Sequence, residues 1–320
     1  MFEQINTPTG HICVMQGEIG KPLEFLSLGD YGKDKNIKAD FMGITREING
    51  VPHGELLSLE DKWVITISTQ YGCSMGCTFC DVPQVGEGIN ATFNDLVNQV
   101  KNALSLHPEI KKAKRINLHY ARMGEPTWNN AVIDSAYYLK GFFDNLGWGF
   151  HPVVSTIMPI ENKNVWNFVH RWIIMKNAFE GEAGLQISLN TTDDNIRCST
   201  IPGAYSHAAI GSALRNTVIG LKGRKIALNF ALTDAPVNAQ ELLNYFDPRH
   251  FMCKITPMHN TRAAIKNGMI TDGGYDHYYP YKEVEEKLKA AGYDVIVFIP
   301  SKEEDASRIT CGNAILADRV

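Results

Sequence analysis

Three of the chain's seven cysteines fall within eight residues, in the stretch TISTQYGCSMGCTFC (66–80). They are Cys73, Cys77 and Cys80, spaced C-x3-C-x2-C, with no fourth cysteine close behind. Four thiolates would saturate a structural zinc or an iron–sulfur cluster. Three leave one position open. On a [4Fe–4S] cube the fourth iron can then bind a small molecule in place of protein. Gly72 and Gly76 are expected to let the loop fold tightly enough for three thiolates to reach one cube. The bland alternatives are a zinc site completed by a distant His or Cys, or three small buried side chains. The density of thiols favours the open-site cluster.

Such a loop needs a scaffold, and the chain supplies an alternation. Short apolar or β-branched runs at 63–69, 116–121, 150–156, 185–190, 225–232, 253–258 and 294–300 predict strands. Segments with helical periodicity lie between them, at 93–107, 130–147, 164–176, 207–220, 239–246 and 281–292. Strand and helix trade places about every 30–40 residues, the rhythm of βαβ units and a parallel sheet. The first strand lacks a G-x-G-x-x-G turn, so a dinucleotide-binding sheet has no phosphate loop here. The expected fold is α/β, a partial or full (β/α) barrel. Parallel barrels carry chemistry at the C-terminal ends of their strands, and the cysteine triplet follows the first strand directly.

The expected organisation is an N-terminal extension (1–60), the barrel (61–300) and a C-terminal segment carrying Cys311 (301–320). The extension is rich in Gly, Pro, Asp and Asn, with β-like pieces such as HICVMQ, and reads as β-rich or irregular, covering one end of the barrel.

Composition bounds the class. The chain has 320 residues, 44% hydrophobic and 21% charged, as ordinary globular proteins do. No apolar run is long enough to span a bilayer, and the opening MFEQINTPTG lacks the regions of a signal peptide. A cytoplasmic location without a membrane partner is expected. Clustered thiols in a reducing compartment bind metal or do chemistry more often than they pair. The formal net charge of −4 gives no general support for a nucleic-acid partner. The basic run Lys111, Lys112, Lys114 and Arg115 could contact phosphates, or be a solvated helix end.

The cysteine spacing, with the aromatic Phe79 before the last cysteine, resembles the signature of radical S-adenosylmethionine (SAM) enzymes. Further stretches resemble the RlmN/Cfr group of RNA adenine methyltransferases within them. These are STQYGCSMGCTFC, MGEP (123–126), VVST (153–156), ISLN (187–190), CKITPMHN (253–260) and DASRITCGNAILA (305–317). The resemblance spans roughly residues 55–320. It implies a barrel of the radical SAM type, a [4Fe–4S] cluster on Cys73, Cys77 and Cys80, and SAM on the unique iron. An electron from the cluster cleaves SAM, and the resulting radical abstracts hydrogen from carbon. It further implies that Gly124 and Glu125 meet the methionine amino group. Ser155, Ser188, Asn190 and Asn260 would hold its carboxylate and the ribose; Asn190 stands where the group has His. Each has a bland counterpart: Glu125 as a helix cap, the serines and Asn260 as loop residues.

Cys311 is implied as the residue that first accepts a methyl group and then carries it to adenine through a covalent adduct. Its bland alternative is a buried free cysteine. Glu55 is implied as a general base, against a solvated loop carboxylate. The implied partners are an rRNA or tRNA substrate and an electron donor such as flavodoxin or ferredoxin.

Two departures stand out. The group's second catalytic cysteine, seven residues before the first cluster ligand, is Thr66 here, and a hydroxyl cannot form a disulfide. The remaining thiols are Cys13, Cys198 and Cys253; Cys13 could fold back toward the site, while the other two read as core residues. The group's helical RNA-binding domain is also replaced by some 60 residues of different character. Two other readings therefore stay open. One is a radical SAM enzyme acting on a peptide, protein or small molecule, and the other is a non-catalytic metal-binding module.

Overall fold

The computed structural model describes residues 2–7, 9–29, 47–48, 51–52, 58–275, 277–300 and 302–320. Its strands are β1 (Phe2–Thr7), β2 (Gly10–Gln16), β3 (Pro22–Leu28), β4 (Glu47–Ile48), β5 (Val51–Pro52), β6 (Trp63–Ile67), β7 (Gln70–Gly72), β8 (Glu87–Asn90), β9 (Ile116–Tyr120), β10 (Phe150–Thr156), β11 (Gly184–Ser188), β12 (Ile226–Leu232), β13 (Phe251–Pro257) and β14 (Val295–Val297). Ten of them form one sheet in the order β1-β2-β3-β6-β9-β10-β11-β12-β13-β14. From β6 to β14 every neighbouring pair is parallel. β1, β2 and β3 join β6 as an antiparallel continuation.

The sheet is therefore a partial (β/α) barrel. Its end strands β1 and β14 do not pair, so of the two barrels expected the full one is not formed. The N-terminal residues do not simply cover an end; they lengthen the sheet, because β3 pairs with β6 through Leu26 and Thr66.

Helices fill the crossovers at the expected places: α1 (Phe93–Ser105), α2 (Ala131–Leu146), α3 (Val165–Ala178), α5 (His207–Thr217), α6 (Ala239–Leu243) and α8 (Tyr279–Ala290). Three short helices, α4 (Asp194–Thr200), α7 (Arg262–Lys266) and α9 (Lys302–Ala306), were not foreseen. They are too short to show an apolar period. α1 starts in a capping box, in which Thr92 and Asp95 satisfy each other's backbone N–H.

Strand alternation separates core from site. Trp63, Ile65, Ile67, Leu118, Tyr120, Leu185, Ile187, Leu228, Phe230, Cys253 and Ile255 are wholly buried on the helix-covered side. Apart from Val64, the positions between them are polar and only partly buried. Register puts Thr66 opposite His119, Ser155 opposite Gln186, Ser188 opposite Asn229, and Asn229 opposite Lys254. Paired residues share a face, so the concave face is a polar wall. Among the described residues no helix is long and apolar enough to cross a membrane.

Candidate active site

The triplet loop begins where the β7–β8 hairpin forces the chain to turn. Gly72 has φ +87°, and a Cβ there would lie 2.3 Å from the Gly86 carbonyl oxygen. Only glycine suits such a position. Gly76 differs from expectation, since a Cβ there meets nothing within 4 Å.

The loop is pinned from four directions. Cys73 N donates to Gly86 O (3.2 Å), Thr78 N to Thr200 O (3.0 Å), Thr261 Oγ1 to Phe79 O (2.6 Å) and Asp81 N to Gly312 O (2.9 Å). The Asp81 carboxylate in turn accepts from Arg262 N and Ala263 N at the start of α7.

A cavity of about 180 Å³ opens at the C-terminal ends of the strands. Cys73, Cys77, Cys80 and Cys311 all line it, together with Gly124, Glu125, Ser155, Ser188 and Asn190. Nine of the eleven candidate residues, brought from five separate stretches of sequence, thus share one cavity. Asn260 is not among its lining residues; Met258 and His259 form that part of the wall. The Asn260 N–H is tied to Asp305 Oδ2 (2.8 Å), and Thr261 then caps α7. Glu55 lies outside the described residues.

Among the described residues, no three His, Cys, Asp or Glu side chains are grouped to hold a single metal ion. Cys73, Cys77 and Cys80 instead share a cavity wall, and on a cube each thiolate would ligate a different iron, so they need not converge on one point. Burial pushes the Cys73 thiol up to about 11 and those of Cys77 and Cys80 well above the usual range, so a metal must displace their protons. Cys311 is exposed, yet the protein around its sulfur raises its thiol, with Lys254 and Arg122 acting in opposition.

Glu125 fills the capping role that was its alternative reading. Its Oε1 accepts from Thr127 N (3.1 Å) and Thr127 Oγ1 (2.7 Å), capping a short turn, and Oε2 accepts from Ile157 N (3.0 Å). Burial raises its carboxyl, and these bonds oppose the rise. A carboxylate so enclosed suits an incoming ammonium. The polar atoms Asn190 Nδ2 and Asn229 Oδ1 are buried without a partner on the same cavity. Unpaired groups of this kind suit a polar ligand such as a ribose or amino-acid moiety. By donor set and by orphaned atoms, the cavity fits both a thiolate-held cluster and SAM.

Several functional contacts were not anticipated. Gln70 is wholly buried and joins the triplet loop to the MGEP turn. Its Nε2 donates to Ser74 Oγ (2.8 Å), Gly88 O (2.8 Å) and Asn90 Oδ1 (2.9 Å), while its Oε1 accepts from Glu125 N (3.0 Å). Its place inside the conspicuous cysteine stretch was the available signal. Arg197 braces the ends of β10 and β11 by donating to Ile157 O, Ser188 O and Leu189 O at 2.6–2.9 Å. Gly124, with φ +93°, sets the MGEP turn against Gln70, whose Cβ would lie 2.6 Å from an added methyl. Gly124→Ala should cost about 2 kcal/mol and lower the melting midpoint by about 4 °C. An unchanged thermal melt would show that the turn relaxes freely.

The spare thiols stay away from the site. Cys13 and Cys253 are sealed in the core, and burial pushes each to about 12. Cys198 is exposed on α4 rather than in the core as expected, and none of the three lines the cavity. The basic run lies in the loop before β9, not at a helix end, and Lys114 pairs with Asp61 at 2.6 Å. It precedes the strand whose far end meets the cavity, roughly 17 Å away at β-strand rise.

No known family profile matches the chain. Curated relatives do. The "Dual-specificity RNA methyltransferase RlmN" of Campylobacter hominis is 28% identical over 233 residues, covering 67% of this chain and 61% of that protein. The RlmN of Wolinella succinogenes is 30% identical over 169 residues, covering 51% and 44%. The chain resembles the RlmN group of radical SAM enzymes. It spans about half the length of these RlmN relatives. A crystal structure of a radical SAM methyltransferase from Sphaerobacter thermophilus superposes over 98% of this chain and 81% of its own, with TM-score 0.69 and 20% identity. That likeness establishes the fold as a partial barrel of the radical SAM type.

Proposed function

We propose that the chain is a radical SAM methyltransferase acting on an RNA adenine, with Cys311 as the methyl acceptor and carrier. The observation that carries this reading is the convergence of Cys311 with Cys73, Cys77 and Cys80 on one cavity. A [4Fe–4S] cluster on three thiolates supplies an open iron for SAM and the electron that cleaves it. An external one-electron donor, such as flavodoxin or ferredoxin, would deliver that electron.

The chain's own groups divide the rest. Cys73, Cys77 and Cys80 hold the cluster. Glu125 receives the methionine ammonium, oriented by Gln70 on its backbone and by Thr127 on its carboxylate. Ser155, Ser188 and Asn190 offer hydrogen bonds to the carboxylate and ribose, with Asn260 a further candidate beside the wall. Cys311 gives up its proton and takes a methyl group from the sulfonium, releasing S-adenosylhomocysteine.

One observation supports a second reading. Thr66 stands where a resolving thiol is wanted, and no other cysteine outside the triplet and Cys311 reaches the cavity. The same scaffold could then modify a peptide, a protein or a small molecule. Anaerobically reconstituted chain, given SAM, reductant and cellular RNA, should yield methyladenosine alongside 5′-deoxyadenosine. Formation of 5′-deoxyadenosine with no methyladenosine in any RNA would move the assignment to the second reading.

A further inference from the structure

Arg122, in the turn after β9, is buried to 2% side-chain exposure, and its partner Glu24 on β3 to 0%. Arg122 Nε donates to Glu24 Oε1 at 2.7 Å, and the terminal nitrogen Nη2 makes a second bond to the same oxygen. The guanidinium also reaches three backbone carbonyls of one loop: Arg308 O (2.6 Å), Thr310 O (3.1 Å) and Asn313 O (3.1 Å). Glu24 Oε1 also accepts from Ile315 N (3.3 Å), and its Oε2 accepts from Leu316 N (3.1 Å). The bonds bracket Cys311. The loop they hold is tightly curled, with Arg308 at φ +60° and Gly312 at φ +78°. Its Gly312 carbonyl accepts from Asp81 N, next to Cys80.

A buried ion pair adds little stability over apolar residues of the same size. What this pair supplies is direction, because a planar fork of donors fixes several carbonyls at once. We propose that the Arg122–Glu24 pair is a positioning device, holding the Cys311 loop in register with the three-cysteine loop. The N-terminal strands thereby become part of the active site through β3. The proposal rests on the function proposed above. It adds that transfer at Cys311 depends on Glu24, which does not line the cavity, and on Arg122, which borders it but spends its donors on Glu24 and the loop carbonyls.

The test compares the parent with Arg122→Met/Glu24→Met, which replaces both charges by apolar groups of similar length and leaves neither partner buried alone. Arg122→Lys is a second variant, keeping the charge but not the fork. Hydrogen exchange is read by mass spectrometry on the apo chain. In the double variant, amides of 308–316 should exchange at least ~10-fold faster, while those of β9–β12 keep the parent rate. On reconstituted enzyme, methylation of Cys311 should fall about 100-fold further than 5′-deoxyadenosine formation, with Arg122→Lys in between. Parent-like exchange at 308–316, or methylation and cleavage falling in step, overturns the proposal. A parent chain that neither cleaves SAM nor methylates Cys311 sinks the proposed function instead, and the exchange result still decides whether the pair holds the loop.

Discussion

Cys80→Ala should give a folded chain that holds no cluster and cleaves SAM at least ~10³-fold more slowly than the parent. The fold should survive because backbone bonds shape the loop here. Cys80 N donates to Cys77 O, and Asp81 N to Gly312 O, whatever side chain stands at 80. The chemistry should not survive. With three protein thiolates the cube already has one open iron, and losing another leaves two anchors for four metals. Cys73→Ala and Cys77→Ala should behave alike, since all three thiols line the same cavity. Iron and sulfide content, visible absorbance and 5′-deoxyadenosine yield are the measurements. Parent-level iron in any one of these variants would show that the triplet is not the ligand set.

Cys311→Ser should separate two activities that the cluster variants lose together. Iron content should stay at the parent value, because Cys311 lies outside the triplet. SAM cleavage should stay within about 3-fold of the parent, since the loop's position depends on backbone carbonyls held by Arg122 and not on the Cys311 sulfur. Methyl uptake by the protein, and methylated product with it, should fall by about 10³-fold or more. A serine hydroxyl is a far weaker nucleophile than a thiolate, and its oxygen cannot stand in for sulfur as methyl carrier. Peptide mass spectrometry for the methyl group, and nucleoside analysis of the RNA, read the two losses. Methyladenosine produced at the parent rate by Cys311→Ser would remove Cys311 from the mechanism and leave the cavity as a SAM-cleaving site alone.

Much of the architecture could be read along the chain because its signals are local. The strand 150–156 and the helix at 93–107 announce themselves through β-branched runs and apolar period, and the structure places Phe150–Thr156 and Phe93–Ser105 there. The C-x3-C-x2-C spacing works the same way, since three thiols within one short loop share a neighbourhood in any fold. The short helices α4, α7 and α9 escaped notice because five to seven residues hold too little pattern to stand out.

The amino-acid order alone determined the rhythm of the sheet, the cysteine loop after its first parallel strand, and the candidate residues at the strand ends. Tertiary structure alone decided that the sheet stays open, that β3 extends it, and that Arg122 meets Glu24 across 98 positions and Thr310 across 188. It also decided that Cys13 and Cys253 face the core and Cys311 the cavity. The division has one physical cause. Periodicity and turn chemistry act between near neighbours along the chain. The partner of a buried charge, or the direction of a lone thiol, depends on which distant strands have already paired.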